Sequence, residues 1–196
     1  MNKLPRDYYI ENDTLWLARD MIGKYLWCNL DDYGPVAGII IETEAYMGAK
    51  DRASHAFGNR LTPRTSTMYR KGGIAYIYLC YGIHHLFNVV TAPEGIPHAV
   101  LVRGVVPVNG KEKMKMRTGK YPADVLDGPG KFTKAMGIKT LHNGLSLDGN
   151  KLWIEDRGIL VDKENIQTSA RIGVDYAGED AMLPWRFFVE PDVLKI

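Results

Sequence analysis

The chain is poor in cysteine: its 196 residues include only Cys28 and Cys80. Two cysteines without a Cys-x-x-Cys spacing argue against a disulfide framework and do not read as a metal site. Both lie in apolar, strand-like contexts and are expected to be buried free thiols. No apolar run approaches the roughly 20 residues of a membrane span. The first residues, Met1-Asn-Lys-Leu-Pro-Arg-Asp7, lack the apolar core of a signal peptide. The expectation is a cytoplasmic protein with no membrane partner. Repeats, linkers and low-complexity segments are also missing, so residues 1–196 read as one domain.

The most informative absence is of acid. Between Arg52 and Pro93 there is no Asp or Glu, although the stretch carries Arg52, Arg60, Arg64, Arg70 and Lys71. Acids crowd instead near Asp31-Asp32, residues 124–127 and residues 155–164. The net charge of +2 does not by itself point to nucleic acid, but the distribution leaves the middle of the chain basic. Inside the acid-free stretch sits a tyrosine-rich run, Tyr76-Ile-Tyr78-Leu-Cys-Tyr81-Gly82. Immediately before the stretch, an apolar strand runs into Glu42-Thr43-Glu44-Ala45-Tyr46. A carboxylate beside a basic, aromatic surface suggests a polyanion held by positive charge, with acid/base chemistry done on it.

What is present is the composition of a globular protein, 45% hydrophobic and 24% charged. Asp13-Thr14 caps an amphipathic helix over 15–22 that stops at Gly23. Strands are expected over 24–30 and 36–46, separated by the turn Asp31-Asp-Tyr-Gly-Pro35. Residues 52–73 read as a long loop with a short helix near 64–68, and loops of that length inside compact domains are usually functional. Residues 74–80 and 85–90 form a hairpin, its tight connection around Tyr81-Gly82-Ile83-His84. A strand over 99–108 precedes a Lys-rich helix over 110–117. Asp127-Gly-Pro-Gly-Lys131 opens a helix ending near Gly137. Later strands fall at 152–155 and 185–189. Because helices and strands do not alternate regularly, the expected fold is α+β: a curved, largely antiparallel sheet with surrounding helices and a protruding β-hairpin.

Strand alternation places Glu42, Glu44 and Tyr46 on one face and Thr43 and Ala45 on the other. Such a carboxylate and aromatic can activate a water beside a flat ligand; equally, one Glu can be a structural ion pair and Tyr46 a core residue. Tyr76, Tyr78 and Cys80 share a face, where half-buried packing is the default for Tyr76. Tyr81, before Gly82 at a hairpin tip, would project into solvent, as do side chains that wedge between base steps. Asn88, a lone amide among apolar residues, must bond either to backbone or to a ligand. His55 fits an acid/base role or, more commonly, a hydrogen-bonded packing role. His84 and His85 are adjacent in an extended segment, so their side chains diverge and no metal site is expected. Gly128-Pro-Gly-Lys131 fails the Walker pattern but could hold one phosphate on exposed amides. Lys111, Lys113, Lys115, Arg117 and Lys120 read as a solvated basic face.

Taken together, Glu42-Thr-Glu44-Ala-Tyr46, Asp51-x-Ala53-Ser-His55, Tyr76-x-Tyr78-x-x-Tyr81-Gly82, Asn88 and Ala99-Val-Leu-Val-Arg103 resemble the monofunctional alkyladenine (3-methyladenine) DNA glycosylases. Gly128-Pro-Gly-Lys131 and Arg171-Ile-Gly-Val174…Ala177-Gly178-Glu179 extend the resemblance along nearly the whole chain. It implies a monomeric, cofactor-free enzyme that flips a damaged purine from double-stranded DNA and hydrolyses its N-glycosidic bond. It further implies that Glu44 activates the water, with Arg103 positioning both. Tyr46, His55 and Tyr78 would sandwich the base, and Asn88 would crowd the exocyclic amino group of guanine. Tyr81 would fill the hole in the stack. Arg60, Arg64, Lys71 and Lys131 are the candidates for phosphate contact. No lysine accompanies Glu44, so a Schiff-base, strand-nicking reaction is not indicated. The competing readings are a non-catalytic nucleic-acid-binding module and a small-molecule N-glycoside hydrolase.

Overall fold

The computed structural model describes residues 2–194. It opens with two short helices, α1 (Arg6–Glu11) and α2 (Thr14–Asp20). Asp13 lies extended ahead of α2, and its carboxylate accepts from the Leu15 and Trp16 amides, the cap expected from the sequence. Helix α1 leaves no sequence signature, because at six residues it buries only Tyr9 and no helical period can show.

The strands are β1 (Tyr25–Cys28), β2 (Val36–Tyr46), β3 (Ile74–Cys80), β4 (His84–Thr91), β5 (His98–Asn109), β6 (Leu126–Asp127), β7 (Leu152–Glu155), β8 (Gln167–Ser169) and β9 (Arg186–Phe188). Among the described residues they form one curled, antiparallel sheet, the α+β fold expected. Its main path runs β3-β4-β5-β2-β1-β7, while β6 joins β5, and β9 bridges β2 and β8. Helices α3 (Lys111–Thr118) and α4 (Pro129–Met136) pack against each other and the sheet. The main apolar cluster joins Leu17, Ile39, Phe87, Val100, Phe132 and Ile154, all buried. Each such side chain contributes about 1.5–3 kcal/mol by leaving water.

Strand β2 positions the site. It runs beside β5 for its whole length, but its other neighbour changes from β1 at Val36–Ile39 to β9 at Glu42–Glu44. The β2–β5 register is irregular between Ile40 and Thr43. Opposite lies Gly104, where a Cβ would come within 3.3 Å of the Glu42 Cβ, so the two backbones approach closely. Irregularities of this kind re-aim side chains. The Thr43 hydroxyl donates to the Ala18 carbonyl of α2 at 2.6 Å, which commits Thr43 to the helix side and Glu42 and Glu44 to the other.

Two local expectations need correction. Arg117 is not part of a solvated face: its side chain is 5% exposed, donates through Nε to Asp31 at 2.7 Å and bonds the Ala135 carbonyl. That guanidinium holds the Asp31 carboxyl below its ordinary pKa. Cys28 is buried, but Cys80 is only half-buried, because its face of β3 forms a cavity wall rather than core.

The β3–β4 hairpin pairs from Ile74↔Val90 to Cys80↔His84. At its tip the Ile83 amide donates to the Cys80 carbonyl, with Tyr81 at φ +50° and Gly82 at φ +72°. Glycine takes that conformation freely; a tyrosine holds it at a cost of roughly 1–3 kcal/mol. Tyr81 is also 90% exposed, so no packing offsets the strain.

Candidate active site

A cavity of about 750 Å³ opens between the hairpin, the end of β2, the loop carrying His55, the start of α4 and residues 172–176. Tyr46, His55, Arg64, Tyr78, Tyr81, Asn88, Arg103 and Lys131 line it. Arg60 and Lys71 are exposed and lie outside the lining. Glu44 is fully buried directly behind the wall. Its Oε2 accepts from the Tyr46 hydroxyl at 2.7 Å, and its Oε1 accepts from the Ile172 amide at 2.8 Å. Arg103 Nε lies 3.4 Å from the same Oε1. A carboxylate offers about four acceptor positions, so one more donor can be taken. Burial raises the Glu44 pKa above the ordinary carboxylate value, although Arg103, the Ile172 amide and the Tyr46 hydroxyl oppose the shift. The result is a carboxylate more basic than one in water.

Arg103 is shared between two carboxylates. Its Nε donates to Glu42 Oε1 at 2.9 Å, and Arg186 Nε donates to that same oxygen at 2.6 Å. Arg186 in turn donates to the Ser169 hydroxyl. Glu42 and Arg186 therefore fix the guanidinium that faces Glu44. Strands β8 and β9, which bring Ser169 and Arg186 here, have three residues each, too few for alternation to single them out.

A second ion pair builds the wall. Asp51 and Arg171 meet through bonds of 2.6 and 2.9 Å, both side chains wholly buried. Arg171 also donates to the Ala45 and Asp180 carbonyls and lies over the rings of Tyr46 (4.8 Å) and Trp185 (5.0 Å). The Asp51 carboxylate accepts from the Met47 and Ala53 amides as well. This cluster ties residues 171–180 to the end of β2 and so delivers the Ile172 amide to Glu44. Asp51 and Arg171 stand in the motifs of the sequence, but nothing there pairs residues 120 positions apart.

The opposite wall is aromatic. His55 meets Tyr78 edge-on at 4.6 Å, and Tyr76 and Tyr78 lie 5.5 Å apart. Arg64 Nη2 is 3.2 Å from His55 Nε2. Arginine has only donors, so Nε2 is the acceptor, and a neutral imidazole must then carry its proton on Nδ1. Nδ1 lies 2.9 Å from the Tyr76 hydroxyl, to which it donates. Burial, and then the Arg64 and Arg60 cations, push the His55 pKa down to about 4, so the ring is neutral at neutral pH. Asn88 sits opposite Tyr76 in register, buried, and its amide donates to the Tyr76 carbonyl at 3.1 Å. It satisfies backbone and still faces the cavity.

His84 and His85 each have their own protein neighbour. His84 packs on Gly130, where a Cβ would fall 2.6 Å from its Nδ1, and His85 Nδ1 accepts from the Thr140 amide. Lys131, at the cavity rim, pairs with Asp127 at 2.8 Å. Ile172, Arg186 and Tyr176 are site neighbours that sequence reasoning did not assign; Tyr176 is 70% exposed at the rim and donates to the Ala53 carbonyl.

A buried carboxylate with a raised pKa thus lies behind an aromatic cavity, beside an exposed aromatic hairpin tip. The sequence profile of the methylpurine-DNA glycosylase family matches residues 8–192, and the chain belongs to that family. Among its relatives, a protein of Chlamydia pneumoniae is 42% identical over 96% of both chains. One of Bacillus cytotoxicus is 41% identical, again over 96% of each. One of Desulfitobacterium hafniense is 38% identical over 97% of this chain and 96% of its own. All three carry the provisional name 3-methyladenine DNA glycosylase.

Proposed function

We propose that the protein excises alkylated or otherwise damaged purines from double-stranded DNA by direct hydrolysis of the N-glycosidic bond. The observation that carries this reading is the placement of Glu44, buried and raised in pKa behind the Tyr46 side of an aromatic cavity. The flipped nucleotide enters between Tyr46 on one side and His55 and Tyr78 on the other. Aromatic faces attract a base with a positive charge, and the Arg64 cation over Tyr78 opposes that attraction. Asn88 crowds the position of guanine's exocyclic amino group, so the normal base fits poorly.

Chemistry follows from the Glu44 position. Its remaining acceptor site takes a proton from water, and Arg103 holds carboxylate and water together. The water oxygen bonds to C1′ while the glycosidic electron pair leaves with the base; a cationic alkylpurine thereby departs neutral. The sugar passes through an oxocarbenium-like state that the adjacent negative charge stabilises. A binding module would have no use for this carboxylate, which weakens attraction to an anion. A small-molecule hydrolase would have no use for the strained, exposed Tyr81. Incubating the protein with alkylated duplex, undamaged duplex and alkylated nucleosides separates the three readings, and free base from the alkylated duplex alone is expected.

Tyr81→Ala should impair flipping more than chemistry. Loss of the ring leaves a hole in the stack, and the extruded state loses about 1–3 kcal/mol of stacking. A fluorescent base analogue at the lesion should report a smaller extruded fraction. The folding midpoint should stay unchanged, because the side chain touches little. An unfolded variant with normal extrusion when refolded would make Tyr81 a core residue.

Binding should weaken steeply with salt, at a slope of about −0.9 per phosphate contact. Neutralising Arg60, Lys71 or Lys131 should each flatten the slope by about one unit. A parent protein with no salt dependence would instead favour the small-molecule reading.

A further inference from the structure

Arg64 is a cation without an acidic partner. Its stretch of sequence carries no Asp or Glu from residue 52 to residue 93, and among the described residues no carboxylate pairs with it. Its place is nevertheless built. The neighbouring Thr65 is buried and ties the loop through its hydroxyl, which donates to the Arg60 carbonyl at 2.8 Å and accepts from the Thr62 amide. From that anchored loop the guanidinium lies 4.7 Å above the Tyr78 ring and donates to His55 Nε2. A planar cation thus lies on an aromatic ring of the cavity wall and holds the His55 Nε2 lone pair.

A base that stacks on Tyr78 and turns its edge toward His55 meets two groups of opposite hydrogen-bonding sense. While Arg64 donates to it, His55 Nε2 is an acceptor, with the ring's single proton on Nδ1 against Tyr76. Arg64 donates only. A 6-amino purine offers a donor to Nε2 and must displace Arg64 from it. A 6-oxo purine offers an acceptor, which the histidine in this tautomer does not serve and Arg64 does. The same guanidinium repels a ring with a fixed positive charge, with little solvent between them. We propose that Arg64 is a specificity-determining residue of this cavity, donating to the 6-oxo group of neutral purines of the hypoxanthine class and disfavouring cationic bases. This assignment rests on the base-excision reading above.

The test is single-turnover release of hypoxanthine and of 3-methyladenine from duplex DNA by the parent, Arg64→Met and Arg64→Lys. The methionine variant keeps an apolar cover on Tyr78 but donates nothing. Its ratio of hypoxanthine to 3-methyladenine release should fall at least about tenfold, the size expected for one charge-assisted hydrogen bond, with 3-methyladenine release rising. Arg64→Lys keeps charge and should recover part of the hypoxanthine rate while still slowing 3-methyladenine. Equal losses on both bases, as a phosphate contact or a folding defect would give, overturn the proposal. So does a parent that releases 3-methyladenine but leaves hypoxanthine untouched, in which case the base-excision reading stands. A parent that releases neither base removes that reading and this one with it.

Discussion

Glu44→Gln should lower single-turnover base excision by about 10³-fold or more while lesion-DNA affinity is kept. The magnitude is that of a general base, reinforced by loss of the negative charge beside the sugar. The substitution preserves shape, and Arg103 keeps its bond to Glu42. The parent's excision rate should fall in acid with an apparent pKa above the ordinary carboxylate value of 4.5, since burial raises the Glu44 pKa. Stability has the opposite sign. A carboxyl whose folded pKa is raised favours the fold below 4.5 and loses that contribution as pH rises through the folded value. Glutamine has no such loss, so the variant's melting midpoint relative to the parent should improve as pH rises from 4.5. Near-normal excision by Glu44→Gln would remove Glu44 from its assigned role.

Arg171→Met should be the most destabilising change at the site. It leaves the wholly buried Asp51 carboxylate without its cation, and breaking a buried pair costs about 3–5 kcal/mol. It also releases the Ala45 and Asp180 carbonyls and the cover behind Tyr46. Excision should fall with stability, because the Ile172 amide is delivered to Glu44 by the same segment. The double variant Asp51→Asn/Arg171→Met should recover much of the stability in denaturant melts, since the unpaired charge is gone. Its excision should stay low. A single variant as stable as the parent would show that the pair does not hold the wall.

Much of this architecture is legible in the residues. Strand β2 follows its apolar run to the expected ends, Val36–Tyr46, and period-two alternation sorts Glu42, Glu44 and Tyr46 from Thr43 and Ala45. The hairpin is marked by Tyr81-Gly82, and the start of α2 by Asp13. The same alternation contains the correction for Cys80, which shares a face with Tyr76 and Tyr78 and hence the cavity wall. Long-range polar pairing is what the sequence hides. Glu42 meets Arg103 and Arg186 across 61 and 144 positions, and Arg117 finds Asp31 86 positions upstream. Local pattern carries no term for such partners, because ion pairing depends on which turns bring two strands together. Arg64 shows the same limit: nothing in its sequence neighbourhood pairs it with Tyr78 and His55, where its loop delivers it.

The central claim is that water, placed by Glu44 and Arg103, breaks the glycosidic bond without a covalent protein–DNA intermediate. Incubation with duplex DNA carrying one alkylated purine, in the presence of borohydride, tests it most directly. The account predicts stoichiometric release of free base, an unbroken strand that breaks only on later alkali treatment, and no protein trapped on the DNA. A borohydride-trapped adduct, or strand scission accompanying base release, would contradict it.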